Sequence, residues 1–504
     1  MHALTNRFHF LFRSTKGLIL VAIASISLAT VFFGMLSGPM EEFGVKSWMV
    51  KNLGVSLLPQ EREGRIIILY HTLAMAVVAI ETYMITALVP MSKNQQANIN
   101  ATITIGYLTS FIFGLLFAYF GHNYVFHGLF IAGQSIVFLA GVMLTAVLWP
   151  WRKEYRIQDS ERSRTRGGVD LERMAFFLMA VATLGSAIFG AVAGSMFGNG
   201  FESFLAEDIV REPFKTPLEL AVIGHLHIML TLIAVALTLI LSRAYDFKGR
   251  LHKLAMPLMI VGTIIITLGV WAVVPFEAIA HVIINVGSFP VLVASLLLVY
   301  YGWKQSSDRR LAELNISKPN FWQRLKALLH DPVRFGTLWQ MVYMNFVVTA
   351  VGIFMAIKLD EIIRKWPARE ERIALTGHWH VLAGIIATII LLHYADMVGL
   401  KGRVRQVFGW VIIIFSDLAF GAVAVFETKR LFVDELSQQP LVDAVILLTD
   451  IGLASVLVAL GALMFWRLID LFKAKGLWKR ELGEEVQETP EIVTAEPAGK
   501  EVLP

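Results

Sequence analysis

The sequence predicts an all-α, polytopic membrane bundle of 12 transmembrane helices in three pseudo-symmetric four-helix units. Three observations predict it. The 504-residue chain is 56% hydrophobic and only 16% charged, against about 25% charged residues in ordinary soluble domains. Its apolar residues gather into runs of roughly the 20 residues that cross a bilayer. Histidines and basic loops recur at a step of 153 or 154 positions. With a mean hydropathy of +0.64, this composition excludes a disordered chain, a collagen and most soluble globular enzymes. The 34 Phe and 12 Trp suit lipid-facing and interfacial surface.

Residues 1–16 form a short N-terminus carrying Arg7, Arg13 and Lys16. Spans are expected at 17–38, 66–90, 100–120, 125–150, 174–198, 218–242, 254–274, 278–302, 335–357, 373–395, 406–426 and 441–466. The first run is long enough to cross and lacks a small-residue cleavage site, so it reads as a span and not as a signal peptide. One membrane domain thus covers 17–470, with repeat units 17–150, 174–302 and 335–466. Residues 471–504, with seven Glu from Glu481 to Glu501, are expected to form an acidic, disordered tail.

Loop charge orients the bundle. Segment 152–173 carries Arg152, Lys153, Arg156, Arg162, Arg164, Arg166 and Arg173. Segment 304–334 carries Lys304, Arg309, Arg310, Lys318, Arg324, Lys326 and Arg334, and loop 243–253 adds Arg243, Lys248, Arg250 and Lys253. These lie on one side of a twelve-span bundle. Loop 199–217 opposite has Glu202, Glu207, Asp208 and Glu212 against Arg211 and Lys215. Loop 358–372 is nearly balanced. The positive-inside rule makes the basic loops and both termini cytoplasmic, as expected for a prokaryotic inner (plasma) membrane. The formal charge of +5 therefore reads as loop charge beside membrane lipid, not as nucleic-acid binding.

His71, His225 and His378 open spans 2, 6 and 10 within the strings LYHTLAM, GHLHIML and GHWHVLA. Lys248-Gly249-Arg250 and Lys401-Gly402-Arg403 repeat 153 apart, and His127 and His281 repeat 154 apart. The step holds four spans, an even number, so each unit enters the membrane in the same direction, as parallel repeats do. A transporter of twelve spans typically shows two units of six.

Even-numbered spans run from outside to inside in this topology. His71, His127, His225, His227, His281, His378 and His380 then share the outer part of the bilayer. Ionisable side chains at that depth are costly and usually functional. One such histidine, alone, is most simply an interfacial side chain bonded to a neighbour or water; seven in one layer favour a shared role. Residues two apart on a helix lie about 200° apart around its axis, so His225 and His227, like His378 and His380, serve opposite flanks of one helix. Neutral imidazole is a common axial ligand of haem iron. The absence of cysteine excludes disulfides, iron–sulfur clusters, cysteine zinc sites, thiolate-bridged copper and CxxCH-linked haem in this chain.

These features resemble the haem–copper oxidase superfamily, whose members include terminal oxidases and nitric oxide reductases. The resemblance covers about residues 17–470. It rests on Tyr70-His71-Thr72 followed by Ala87-Leu88-Val89-Pro90 in span 2, and on Gly377-His378-Trp379-His380 in span 10. It implies that His71 and His380 clamp a low-spin haem b, and that His378 is the axial ligand of a second haem b. It also implies a copper or non-haem iron on a span-6 histidine plus a His-His pair ending span 7. Span 6 supplies His225 and His227, but span 7 ends Trp271-Ala272-Val273-Val274-Pro275-Phe276-Glu277 without that pair. His281 and Glu277 are the substitutes at the corner of spans 7 and 8. A Glu ligand favours a hard, iron-like ion, as in the nitric oxide reductase-like members.

The resemblance implies a respiratory oxidoreductase that reduces oxygen or nitric oxide at a haem–metal site. It leaves open a haem b electron-transfer or quinol-handling subunit without the dinuclear centre; a cofactor-free transporter is the third reading. Electrons would come from a donating subunit, a cytochrome or quinol. Glu81, Asp417 and Asp450 are acids deep inside spans, and either a proton relay or a buried pair accounts for them.

Overall fold

The computed structural model describes residues 2–36, 39–58, 62–121, 123–157, 168–195, 216–358, 361–434 and 437–488, and among the described residues there is no strand. Among the described residues, twelve helices are long and apolar enough to cross a membrane, which makes the chain an integral membrane protein. They are α1 (Thr15–Met35), α2 (Gly64–Leu88), α3 (Lys93–Phe120), α4 (Tyr124–Leu148), α5 (Leu171–Ser195), α6 (Pro217–Ala244), α7 (Gly249–Trp271), α8 (Glu277–Glu313), α9 (Pro332–Met355), α10 (Gly377–Met397), α11 (Gly402–Leu431) and α12 (Gln438–Phe472). Each expected span falls on one of them. The acidic loop expected at 199–217 lies almost wholly outside the described residues, as do Arg162, Arg164 and Arg166.

The closest helix pairs are α3 with α4, α7 with α8 and α11 with α12. A glycine on the later helix sets each crossing. A Cβ on Gly133 would lie 2.4 Å from the Ser110 amide nitrogen, one on Gly287 2.7 Å from that of Ile266, and one on Gly452 2.6 Å from the Phe415 carbonyl oxygen. Small residues let membrane helices meet backbone to backbone in this way. Helix α6 packs on both α2 and α10, and further contacts join α4 to α5, α8 to α9 and α12 to α1.

The turns leaving α6 and α10 repeat bond for bond. Tyr245 N donates to Leu241 O (2.9 Å) and Phe247 N to Ser242 O (2.9 Å); 153 positions on, Val398 N donates to Tyr394 O (3.0 Å) and Leu400 N to Ala395 O (3.3 Å). Asp246 and Gly399 occupy the left-handed position (φ 52° and 68°), as do Gly249 and Gly402 (φ 80° and 59°). Glycine takes that conformation without a Cβ clash, which explains why Lys-Gly-Arg recurs.

Where the basic loops meet the bundle, buried charges are paired. Asp170 accepts from the Glu172 (3.0 Å) and Arg173 (3.1 Å) main-chain nitrogens at the head of α5. Arg243 bonds Asp170 and lies 2.5 Å from Glu172. Burial alone would raise the Asp170 carboxyl, but the Arg243 charge and those hydrogen bonds outweigh it and hold the group below its ordinary value. At the head of α9, Asp331 receives Arg405 at 2.7 Å, and Asp396 receives both Arg405 (2.7 Å) and Arg334 (3.1 Å). Helix α9 also contains one widened π turn, Met344–Val348, where Asn345 donates to Ser295 of α8 at 2.7 Å.

The terminal tail departs from expectation. Leu477–Glu488 is a helix, not disordered chain. Trp478 and Glu481 are buried, Arg467 reaches Glu481 at 2.6 Å, and Trp478 packs on Phe10 of the N-terminal helix His2–Arg13. A buried aromatic ring and a buried ion pair outweigh the local acidity. Residues 489–504 of the expected tail lie outside the described residues.

Candidate functional site: a layer of imidazoles

His71, His225, His227, His378 and His380 gather at the end of the bundle opposite the basic loops, on α2, α6 and α10. His71 and His225 face each other with ring centroids 6.0 Å apart and planes within 13° of parallel. His71 Nδ1 sits 2.8 Å from the Ile67 carbonyl, and His225 Nδ1 sits 3.0 Å from the Ser186 carbonyl. A carbonyl only accepts, so both rings carry their proton on Nδ1 and keep the Nε2 lone pair. A metal-ligating histidine has this arrangement, with its second nitrogen fixed by a hydrogen bond.

His227 is the same tautomer with a different outcome. Its Nδ1 donates to Ile223 O (2.8 Å), while its Nε2 accepts the Trp379 indole N–H at 2.9 Å. Its lone pair is therefore engaged. His227 lies within electrostatic reach of His281 and of His378. His378 Nδ1 is buried without a hydrogen-bond partner. His380 meets Tyr70, the neighbour of His71, with Nε2 2.7 Å from the phenol oxygen. The structure thus sets His225 opposite His71 and Tyr70 against His380. His127 stacks on Phe117 at 4.9 Å. Glu277 receives Arg364 at 3.1 Å. Among the described residues no three His, Asp or Glu side chains come together as a metal-binding group.

Two glycines make room for the rings, and sequence reasoning missed both. A Cβ on Gly190 of α5 would fall 2.2 Å from His225 Cε1, and one on Gly352 of α9 would fall 2.8 Å from His378 Cε1. On α5, Gly185 also admits Trp271, whose indole donates to Ser186 Oγ at 3.2 Å. A glycine recurring near the end of the span before each histidine helix was the available signal. Beside His378, a Cβ on Gly377 would meet Glu427, whose buried Oε1 has no hydrogen-bond partner. Of the acids inside spans, Asp417 accepts from Trp339 (2.6 Å) and Gln340 (2.8 Å), whereas Glu81 is buried with Oε1 unpartnered. Comparison with models of known protein families and with curated proteins gives no match to this chain.

Proposed function

We propose that the chain is a haem-binding integral membrane oxidoreductase of respiratory electron transfer, a divergent relative of the haem–copper oxidases nearest their nitric oxide reductase-like members. In this reading the chain forms three four-helix units in a ring, with the basic loops and termini in the cytoplasm of a prokaryotic cell. The recurrent glycine crossings and the repeated turns support that arrangement.

The observation that carries the functional reading is the His71–His225 pair. The two rings lie within 13° of parallel with centroids 6.0 Å apart, and each keeps an Nε2 lone pair that would be available to haem iron. The donor chemistry fits haem iron: Nδ1 protons held by carbonyls and Nε2 lone pairs kept for the metal. His71 would hold one haem b with His225, or with His380 as the resemblance implies. His378, in the gap left by Gly352, would hold a second. Bound haem supplies a one-electron centre. The chain's own part is to fix the ring tautomers, exclude water and keep the protein bonds of Tyr70 and Trp379 beside the rings. Electrons would enter from a donating subunit, a cytochrome or quinol.

A second reading has its own support. His227 and Glu277, two of the groups expected at a non-haem iron or copper, are engaged by Trp379 and Arg364. That arrangement suits a haem b electron-transfer or quinol-handling subunit without a dinuclear centre. Haem and metal analysis with reduced-minus-oxidised and carbon monoxide difference spectra tests both. His71→Ala should remove a bis-histidine haem b signal, and comparison of His225→Ala with His380→Ala identifies the second ligand. Carbon monoxide binding with a bound metal favours the reductase; haem without either favours electron transfer. Purified protein without haem rejects both and leaves the transporter.

A further inference from the structure

Helix α12 carries a carboxylate on a face that the other described residues do not cover. Of its apolar window 17% is buried, against 28% to 61% for the other spans. Asp450 is exposed on this helix. Two residues on, Gly452 meets Phe415 and Ala419, near the middle of α11, so Asp450 lies at mid-bilayer depth. Its neighbours at helical spacing, Ile446, Leu447, Leu453 and Leu457, are all exposed. They form an apolar face with one acid at its centre.

A carboxylate in hydrocarbon is costly, and ionisable groups within spans pair with one another or with a polar partner. Membrane helices meet that need by hydrogen bonding across an interface. A second copy of this chain offers a poor partner. The nearby hydroxyls of Thr449 and Ser455 donate to their own helix, to Val445 O (2.7 Å) and Ile451 O (2.8 Å). A two-fold contact centred here would set Asp450 against Asp450. We propose that this face of α12 docks a transmembrane helix of another polypeptide that carries a basic side chain at mid-bilayer depth. The surrounding leucines and isoleucine supply the packing, and the Asp450 carboxylate supplies the register.

The chain contains no cysteine, so Ser437→Cys at the exposed end of α12 provides a single labelling site. The labelled full-length protein is reconstituted in vesicles with a leucine–alanine helix of about 23 residues bearing one central lysine. A second sample receives the same helix with central leucine. Energy transfer should report at least about tenfold tighter association of the lysine helix, and Asp450→Leu should remove that preference. Because Asp450 is exposed on an apolar face, leucine suits the site, and an unchanged thermal unfolding profile checks the fold. Equal association of the two helices, or a preference that survives Asp450→Leu, overturns the proposal. Self-association of the chain that Asp450→Leu abolishes also overturns it, by making a second copy the occupant.

Discussion

The two ends of the bundle use polar side chains in opposite ways. At the basic-loop end, Arg243 meets Asp170 and Glu172, and Arg405 meets Asp331 and Asp396. These charges answer one another directly, and they hold helix ends together. At the other end the polar groups are imidazoles, each with one nitrogen or none tied to the backbone. His71 and His225 keep lone pairs, and His378 Nδ1 has no hydrogen-bond partner. A buried polar atom left unsatisfied costs stability. The first end is tied by ion pairs between helices, and the second leaves ring nitrogens without a protein partner.

The largest expected effect is at the first end. Arg243→Ala takes the cation away from the buried Asp170 and Glu172 carboxylates, which should cost about 3–5 kcal/mol. Thermal unfolding in detergent measures it. If His71→Ala destabilised the protein as much, the contrast between the two ends would fail. Next comes Gly190→Ala, whose Cβ would collide with the His225 ring; overpacking of this kind costs roughly 1–3 kcal/mol. Under the haem reading it should also disturb the signal that His225→Ala removes. Gly34→Ala is the control, since a Cβ there meets nothing within 4 Å.

Much of the fold was legible because bilayer thickness sets one length for each apolar run, and the twelve runs stand clear of their loops. The period was legible because it has local causes, a left-handed residue in a turn and a glycine at a crossing. The pairing within the histidine layer was not. Spacing on α6 tells that His225 and His227 face opposite flanks, but which ring meets His71 depends on how α2, α6 and α10 lean together. Trp379 illustrates the gap: nothing in its own string indicates that its indole reaches His227 on another helix. Order in 477–488 was hidden for a similar reason, since the partners of Trp478 and Glu481 lie far along the chain or across a turn.

Smaller effects sharpen the contrast. Trp379→Phe removes one hydrogen bond from His227 and should cost about 1 kcal/mol. It also frees the Nε2 lone pair, so added divalent metal should bind the variant more tightly than the parent, as titration calorimetry would record. The smallest effect concerns acid. The Asp170 carboxyl is held below its ordinary value in the native state, so the unfolded chain takes up that proton more readily. Its contribution is therefore complete above the ordinary carboxylate range and drains away as pH falls through the lowered value. Acid unfolding of Asp170→Asn should lose that part of the pH dependence while the neutral-pH difference persists.

The widened turn in α9 has a consequence for how such a chain can change length. Asp170 and Asp331 stand at the heads of α5 and α9, 161 positions apart, whereas Gly190 and Gly352, farther along the same helices, are 162 apart. One additional residue thus lies between the cap and the glycine in α9, and the π turn Met344–Val348 falls in that interval. A π turn accommodates one residue more than an α turn. Without it, the insertion would swing everything beyond by about 100° and carry Gly352 away from His378. The π turn holds the extra residue as a local bulge and keeps Gly352 in phase with His378. Deleting one residue within 344–348 should therefore straighten α9 and leave Gly352 facing His378, while inserting a second should turn a side chain into the ring.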